Sequence, residues 1–152
     1  MAALEAEFVG QARAPWPVLV AQLAHAGQVL PEAAEQAALL YAYGVLIGNT
    51  DMHNGNLSFV SEHGRPYSLA PAYDMLPMAW APSAGGGLPQ HAPPLALHPS
   101  VPAQVWRQAL VVAHRYIQRV QEDGRFSTGF APALQGLRQH LHNTADQVAR
   151  LA

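Results

Sequence analysis

Two carboxylates and an amide stand at a spacing that phosphoryl transfer can use. Asp51 and Asn56 lie five residues apart in Gly48-Asn49-Thr50-Asp51-Met52-His53-Asn54-Gly55-Asn56, and Asp74 follows in Leu69-Ala70-Pro71-Ala72-Tyr73-Asp74-Met75-Leu76-Pro77. Moving a γ-phosphoryl group onto a hydroxyl asks for a carboxylate that accepts or orients the hydroxyl proton, and for oxygen ligands to magnesium; the rest is positioning and charge stabilisation. Asp51 suits the first task. Asn56 offers a neutral oxygen and Asp74 a charged one to a hard cation that prefers oxygen ligands. His53 lies between them and is expected to hydrogen-bond the loop backbone, with Asn49 supporting the same loop. A plain polar turn explains residues 48–56 in part, since Gly, Asn and Asp tolerate left-handed backbone. Such a turn would not need Asp74.

The elements around these residues must bring them together. Pro15-Trp16-Pro17 suits the first turn of a helix running to about Ala26, with Gly27 as its stop. Pro31-Glu32 opens a second helix to about Gly48, and no charge follows Glu35 along it. A helix apolar on every side, here through Leu39, Leu40, Tyr41, Val45, Leu46 and Ile47, belongs at the centre of a domain and holds the following loop rigidly. Leu57-Ser58-Phe59-Val60 and Tyr67-Ser68-Leu69-Ala70 then read as a small β-hairpin around the turn residues 61–66. Its strands run out and back over similar lengths, so Asp74 is expected to return beside Asn56. Residues 81–100, rich in Pro and Gly, form a mobile-loop candidate. Beyond them Val105, Trp106, Ala109, Leu110, Ala113, Tyr116, Ile117 and Val120 predict a helix ending near Gly124, and Leu134, Leu137, Leu141, Val148 and Leu151 predict another. The fold class is therefore mainly α with one small β-hairpin, in a single domain over 1–152.

Composition removes several alternatives. The chain has 152 residues, half of them hydrophobic, which suffices for one packed core. A net charge of −2, with the eight Arg scattered singly, disfavours direct nucleic-acid binding. The chain has no cysteine, so disulfides and thiolate metal sites are excluded, and a cytoplasmic setting is expected. The uncharged run 36–50 is too short to span a bilayer, so no membrane association is expected. A calcium loop starting at Asn49 would put Val60 where its closing Glu belongs, and Gly85-Gly86-Gly87 precedes Leu88-Pro89 instead of Lys-Ser or Lys-Thr, so neither a calcium loop nor a Walker phosphate loop fits. The seven remaining histidines show no convergent metal spacing. The sequence also lacks lysine altogether, and with it the cation expected on ATP phosphates.

In Leu46 to Phe59 and Leu69 to Pro77 the sequence resembles the HipA family of bacterial serine/threonine kinases, toxins of toxin-antitoxin pairs, and within it the YjjJ (HipH) subgroup. The resemblance extends over most of the chain as that family's C-terminal helical lobe, a protein-kinase-like lobe with its hairpin following the catalytic loop. It implies Asp51 as catalytic base, Asn56 and Asp74 as magnesium ligands that also bind the nucleotide, and Mg2+ and ATP as cofactor and substrate. It further implies a protein Ser/Thr as acceptor and an antitoxin as possible partner. Several family members have Lys where this chain has Gly55, so phosphate contacts are expected to be weaker. The family's N-terminal lobe, with its phosphate loop and ATP lysine, has no counterpart in these residues. A fragment, a half that pairs with a separate N-terminal lobe, and a degenerate stand-alone protein are the three readings, and the isolated chain is expected to be inactive or nearly so. The alternatives are a non-catalytic module that binds a partner or antitoxin, and a small-molecule phosphotransferase, since the acceptor is not encoded in these three residues.

Overall fold

The computed structural model describes residues 2–3, 14–89 and 94–151. Four helices carry the core: α1 (Trp16–His25), α2 (Pro31–Ile47), α3 (Ala103–Glu122) and α4 (Ala131–Ala149). A small antiparallel sheet sits at one end, in the order β1 (Ala2–Ala3), β2 (Ser58–Val60) and β3 (Ser68–Leu69). The expected hairpin is β2–β3, with Phe59 opposite Leu69 and Val60 opposite Ser68. Its return strand is shorter than the alternation in 67–70 suggested. Tyr67 pairs instead with the α1–α2 connection, where its carbonyl accepts from Leu30 N at 2.8 Å and its N–H donates to Gln28 O at 2.9 Å. β1 adds a third strand that two alanines could not announce by side-chain alternation.

Helix α2 is central because both its faces are covered. Ala33 and Ala37 meet Trp16, Leu19, Val20 and Leu23 of α1 together with Leu57 and Phe59 in one cluster. Ala42, Leu46 and Ile47 join Trp106, Ala109, Ala113 and Ile117 of α3 and Leu137, Leu141 and Val148 of α4 in the other. Pro31 begins the helix, where its missing N–H is no loss, and Gly48 ends it in left-handed conformation at φ 78°. Gly27 closes α1 the same way at φ 67°.

The segment after Asp74 folds back onto the end of α2. A single 3-10 turn, Met78–Trp80, places Ala79 N 2.9 Å from Gly48 O and Trp80 Nε1 3.2 Å from Ile47 O. Two carbonyls that the helix end would leave without partners are thereby satisfied. Of the region expected to be a mobile loop, residues 81–89 are exposed around a turn in which Ser83 N donates to Gly87 O, whereas Leu95 and Leu97 pack against the core. Residues 90–93 lie outside the described residues. Among the described residues no helix is long and apolar enough to cross a membrane.

Candidate functional site

The polar segment leaves α2 through the left-handed Gly48, and its first residue organises the rest. Asn49 is buried; its Oδ1 accepts from Asp51 N at 2.8 Å while its Nδ2 donates to Asp74 O at 3.3 Å and to Met75 Sδ at 3.7 Å. One amide thus holds both carboxylate-bearing segments. Residues 54–56 form a single 3-10 turn in which His53 Nδ1 accepts from Gly55 N at 3.0 Å. That is the backbone contact expected of His53, and it leaves Nε2 3.9 Å from Asp51 Oδ1. Trp16 anchors the same turn from α1, its Nε1 donating to His53 O at 3.3 Å.

Asn56 is the junction of the site. Its Nδ2 donates to Asp51 O at 2.9 Å and to Asp74 Oδ2 at 3.2 Å, across the full length of the hairpin. The three residues Asp51, Asn56 and Asp74 therefore come together, with one qualification: Asp51 is held through its backbone, and its carboxylate, 60% exposed, faces outward beside His53. Asp74 adopts left-handed backbone at φ 54°. Asp tolerates that region better than most residues, and such conformations persist where neighbours over-determine them. Here Asn49 holds the carbonyl and Asn56 the carboxylate.

Tyr73 adds a clamp that the sequence reading did not name. Its hydroxyl donates to Gly55 O at 2.8 Å and takes a second 2.8 Å hydrogen bond from the buried Ser58 Oγ, so the residue before Asp74 is pinned to the loop before β2 and to β2 itself. The adjacency of Tyr73 to Asp74 was a signal; the partner was not. Trp16, expected only in the first turn of α1, and Trp80 are likewise hydrogen-bond anchors, Trp16 for the loop at His53 O and Trp80 for the end of α2 at Ile47 O.

Oxygen chemistry at the site fits magnesium. Among the described residues no hydrogen bond engages Oδ1 of Asn56 or Oδ1 of Asp74, so each residue retains an oxygen for a cation while Nδ2 and Oδ2 hold each other. No group of three or more His, Asp or Glu converges on a metal position among the described residues. A cation here would draw on these two side chains plus phosphate oxygens and water, the mixture that magnesium favours in phosphoryl-transfer sites. Beside the loop lies a cleft of about 290 Å³ lined in part by Tyr41, Asn49, Thr50, Met52, His53 and Asn54.

Comparison with known proteins covers nearly the whole chain. The family described as HipA-like C-terminal domain matches residues 17–150. The curated protein "Toxin YjjJ" of Escherichia coli (strain K12) is 33% identical over 149 residues, which is 98% of this chain and 33% of that protein. The chain thus spans about a third of the length of the curated relative it matches. No solved structure matches.

Proposed function

Because this chain belongs to the HipA-like C-terminal domain family, we propose that it is the base-and-metal lobe of a toxin-type protein serine/threonine kinase. The observation that carries this reading is the Asn56 amide, which joins Asp51 O at 2.9 Å to Asp74 Oδ2 at 3.2 Å and so gathers the three residues on one small surface. In the proposed reaction the acceptor hydroxyl of a protein Ser or Thr attacks the γ-phosphorus of ATP. The new P–O bond forms as the bond to the β,γ-bridging oxygen breaks, ADP leaves, and the hydroxyl proton passes to the Asp51 carboxylate. Magnesium bound with ATP would supply charge neutralisation on the β- and γ-phosphates. Asn56 and Asp74 would hold it, and Asn49, Tyr73 and Trp16 would keep their loops in place.

A cation on the phosphates and a glycine-rich cover are further requirements of such sites. The chain contains no lysine, so the reading assigns those parts to a second lobe. An antitoxin is the corresponding regulatory partner. Calorimetry of the purified chain with ATP and Mg2+ tests the lobe assignment: metal-dependent nucleotide binding, weak in the wild type, should vanish in Asp74→Asn. That substitution retains a left-handed-tolerant residue able to accept from Asn56, so Tm should move little. Protein phosphorylation indifferent to Asp51→Asn and Asp74→Asn would refute the proposal.

One observation favours a second reading. Leu76, Met78 and Leu88, all exposed, line a cleft of about 410 Å³ with Trp80 and Phe130, starting two residues after Asp74. An exposed apolar surface of this kind suits a partner, and a non-catalytic module would retain antitoxin binding while showing no nucleotide affinity.

A further inference from the structure

Two methionines share one notch on α2, and each directly follows a carboxylate of the motif. Met52 follows Asp51 and Met75 follows Asp74. The notch exists because residue 44 is glycine: a Cβ there would meet Met52 Sδ at 2.3 Å, Met75 Cε at 3.0 Å and Met52 Cε at 3.5 Å. Any side chain at residue 44 would make the Met52 thioether, and with it the Met75 methyl, give up this seat. Gly44 also accepts, through its carbonyl, the 2.8 Å hydrogen bond from Asn49 N that starts the catalytic-type loop. Asn49 in turn donates to Met75 Sδ as well as to Asp74 O. The thioethers therefore seat both carboxylate segments against the same turn of the same helix, while hydrogen bonds from Asn49 fix their relative height.

From this geometry we infer that Met52 and Met75 are positioning residues, which set the Asp74 carboxylate against the Asp51 loop by packing as a pair on Gly44. The inference rests on the magnesium reading of Asn56 and Asp74 given above. Unbranched, adaptable methionine suits the role, since a thioether fills an irregular notch and its sulfur accepts a weak hydrogen bond. A thioether is too soft a ligand for magnesium, so neither methionine is a candidate to hold the cation itself. Their effect passes through Asn49 and the backbone of Asp74, as the supporting residues around metal ligands usually act.

The test uses the purified chain and Mn2+, a paramagnetic stand-in for Mg2+, titrated alone and with ATP and read from broadening of the Asn56 side-chain amide resonances. Met75→Ala and the double variant Met52→Ala/Met75→Ala should weaken Mn2+ binding by about 10-fold, the lower end of what loss of a supporting residue costs a metal site. Val148→Ala, a cavity in α4 within the other cluster, serves as the structural control: it lowers Tm and should leave Mn2+ affinity within twofold. In Met75→Ala the Asn49 side-chain amide should shift even in the absence of metal. Equal Mn2+ affinity in wild type and Met75→Ala would overturn the positioning role, as would an equal loss in Val148→Ala. Wild-type binding that survives Asp74→Asn would instead refute the magnesium reading, and the inference would fall with it.

Discussion

Gly136, inside α4, is predicted to be a seat for Trp80 whose loss outweighs the helix propensity gained. Replacing glycine by alanine in a helix interior normally stabilises by about 0.5–1 kcal/mol. At Gly136 the new Cβ would lie 2.7 Å from Trp80 Cζ3 and 3.0 Å from Cε3, against an optimum of about 3.5–4.0 Å for carbon pairs. A thioether could move aside, but an indole is rigid. Trp80 is also held on its polar edge by the hydrogen bond to Ile47 O and flanked by the His140 ring, with centroids 5.8 Å apart. Overpacking of this kind costs about 1–3 kcal/mol. The net expectation for Gly136→Ala is therefore a loss of up to about 2.5 kcal/mol, or up to about 10 °C in Tm at roughly 2–4 °C per kcal/mol for a chain of this size. Urea unfolding followed by tryptophan fluorescence measures it. In a Trp80→Phe background the smaller ring leaves room, so the same substitution should be neutral or stabilising, and the double-mutant cycle isolates the contact. Because Trp80 Nε1 caps the helix that ends at the site, its indole N–H resonance should shift in Gly136→Ala. A variant that gains the full helix-propensity increment, with that resonance unmoved, would refute the packing argument.

Two further predictions concern buried polar groups. His140 is buried against Trp80 with no hydrogen-bond partner for its Nε2 among the described residues, and burial holds its pKa below the ordinary 6.5. The unfolded chain then binds the proton more readily, so stability is full above about pH 6.5, falls as pH drops from there towards the folded-state value, and should be flattened over that window in His140→Leu, as urea midpoints from pH 5 to 8 would reveal. Tyr73→Phe removes the hydroxyl between Gly55 O and Ser58 Oγ and leaves the buried serine without its partner, for an expected loss of about 1–3 kcal/mol. Adding Ser58→Ala should restore part of it, and a chemical melt in which Tyr73→Phe equals wild type would show the clamp to be idle.

Much of the fold was legible because local chemistry and tertiary context agree. Pro31 and Gly48 mark the ends of α2 by backbone preferences that hold wherever the helix sits. The three- and four-residue spacing of Trp106, Ala109, Ala113, Ile117 and Val120 is the buried stripe of α3. The hairpin, too, followed from two alternating runs and a turn. What escaped was pairing between distant segments. The β1 strand is two alanines, and Tyr67 left its predicted strand because a loop from α1 competes for its backbone. Gly44 and Gly136 carry no signal of purpose in the sequence, and only the side chains that cross them give them one.

For the candidate site the division runs along the same line. Residue types and spacing alone raised the expectation that Asp51, Asn56 and Asp74 form a set suited to phosphoryl transfer, because that chemistry uses a carboxylate to take the hydroxyl proton and oxygen ligands to a cation. Tertiary structure decided how they meet. Asn56 joins the two aspartates through one amide, Asp51 by its backbone and not its carboxylate, and Asp74 takes left-handed backbone under restraint from Asn49 and Asn56. Hydrogen-bond direction and side-chain packing depend on distances between segments up to 37 residues apart, and spacing along a chain carries no record of them.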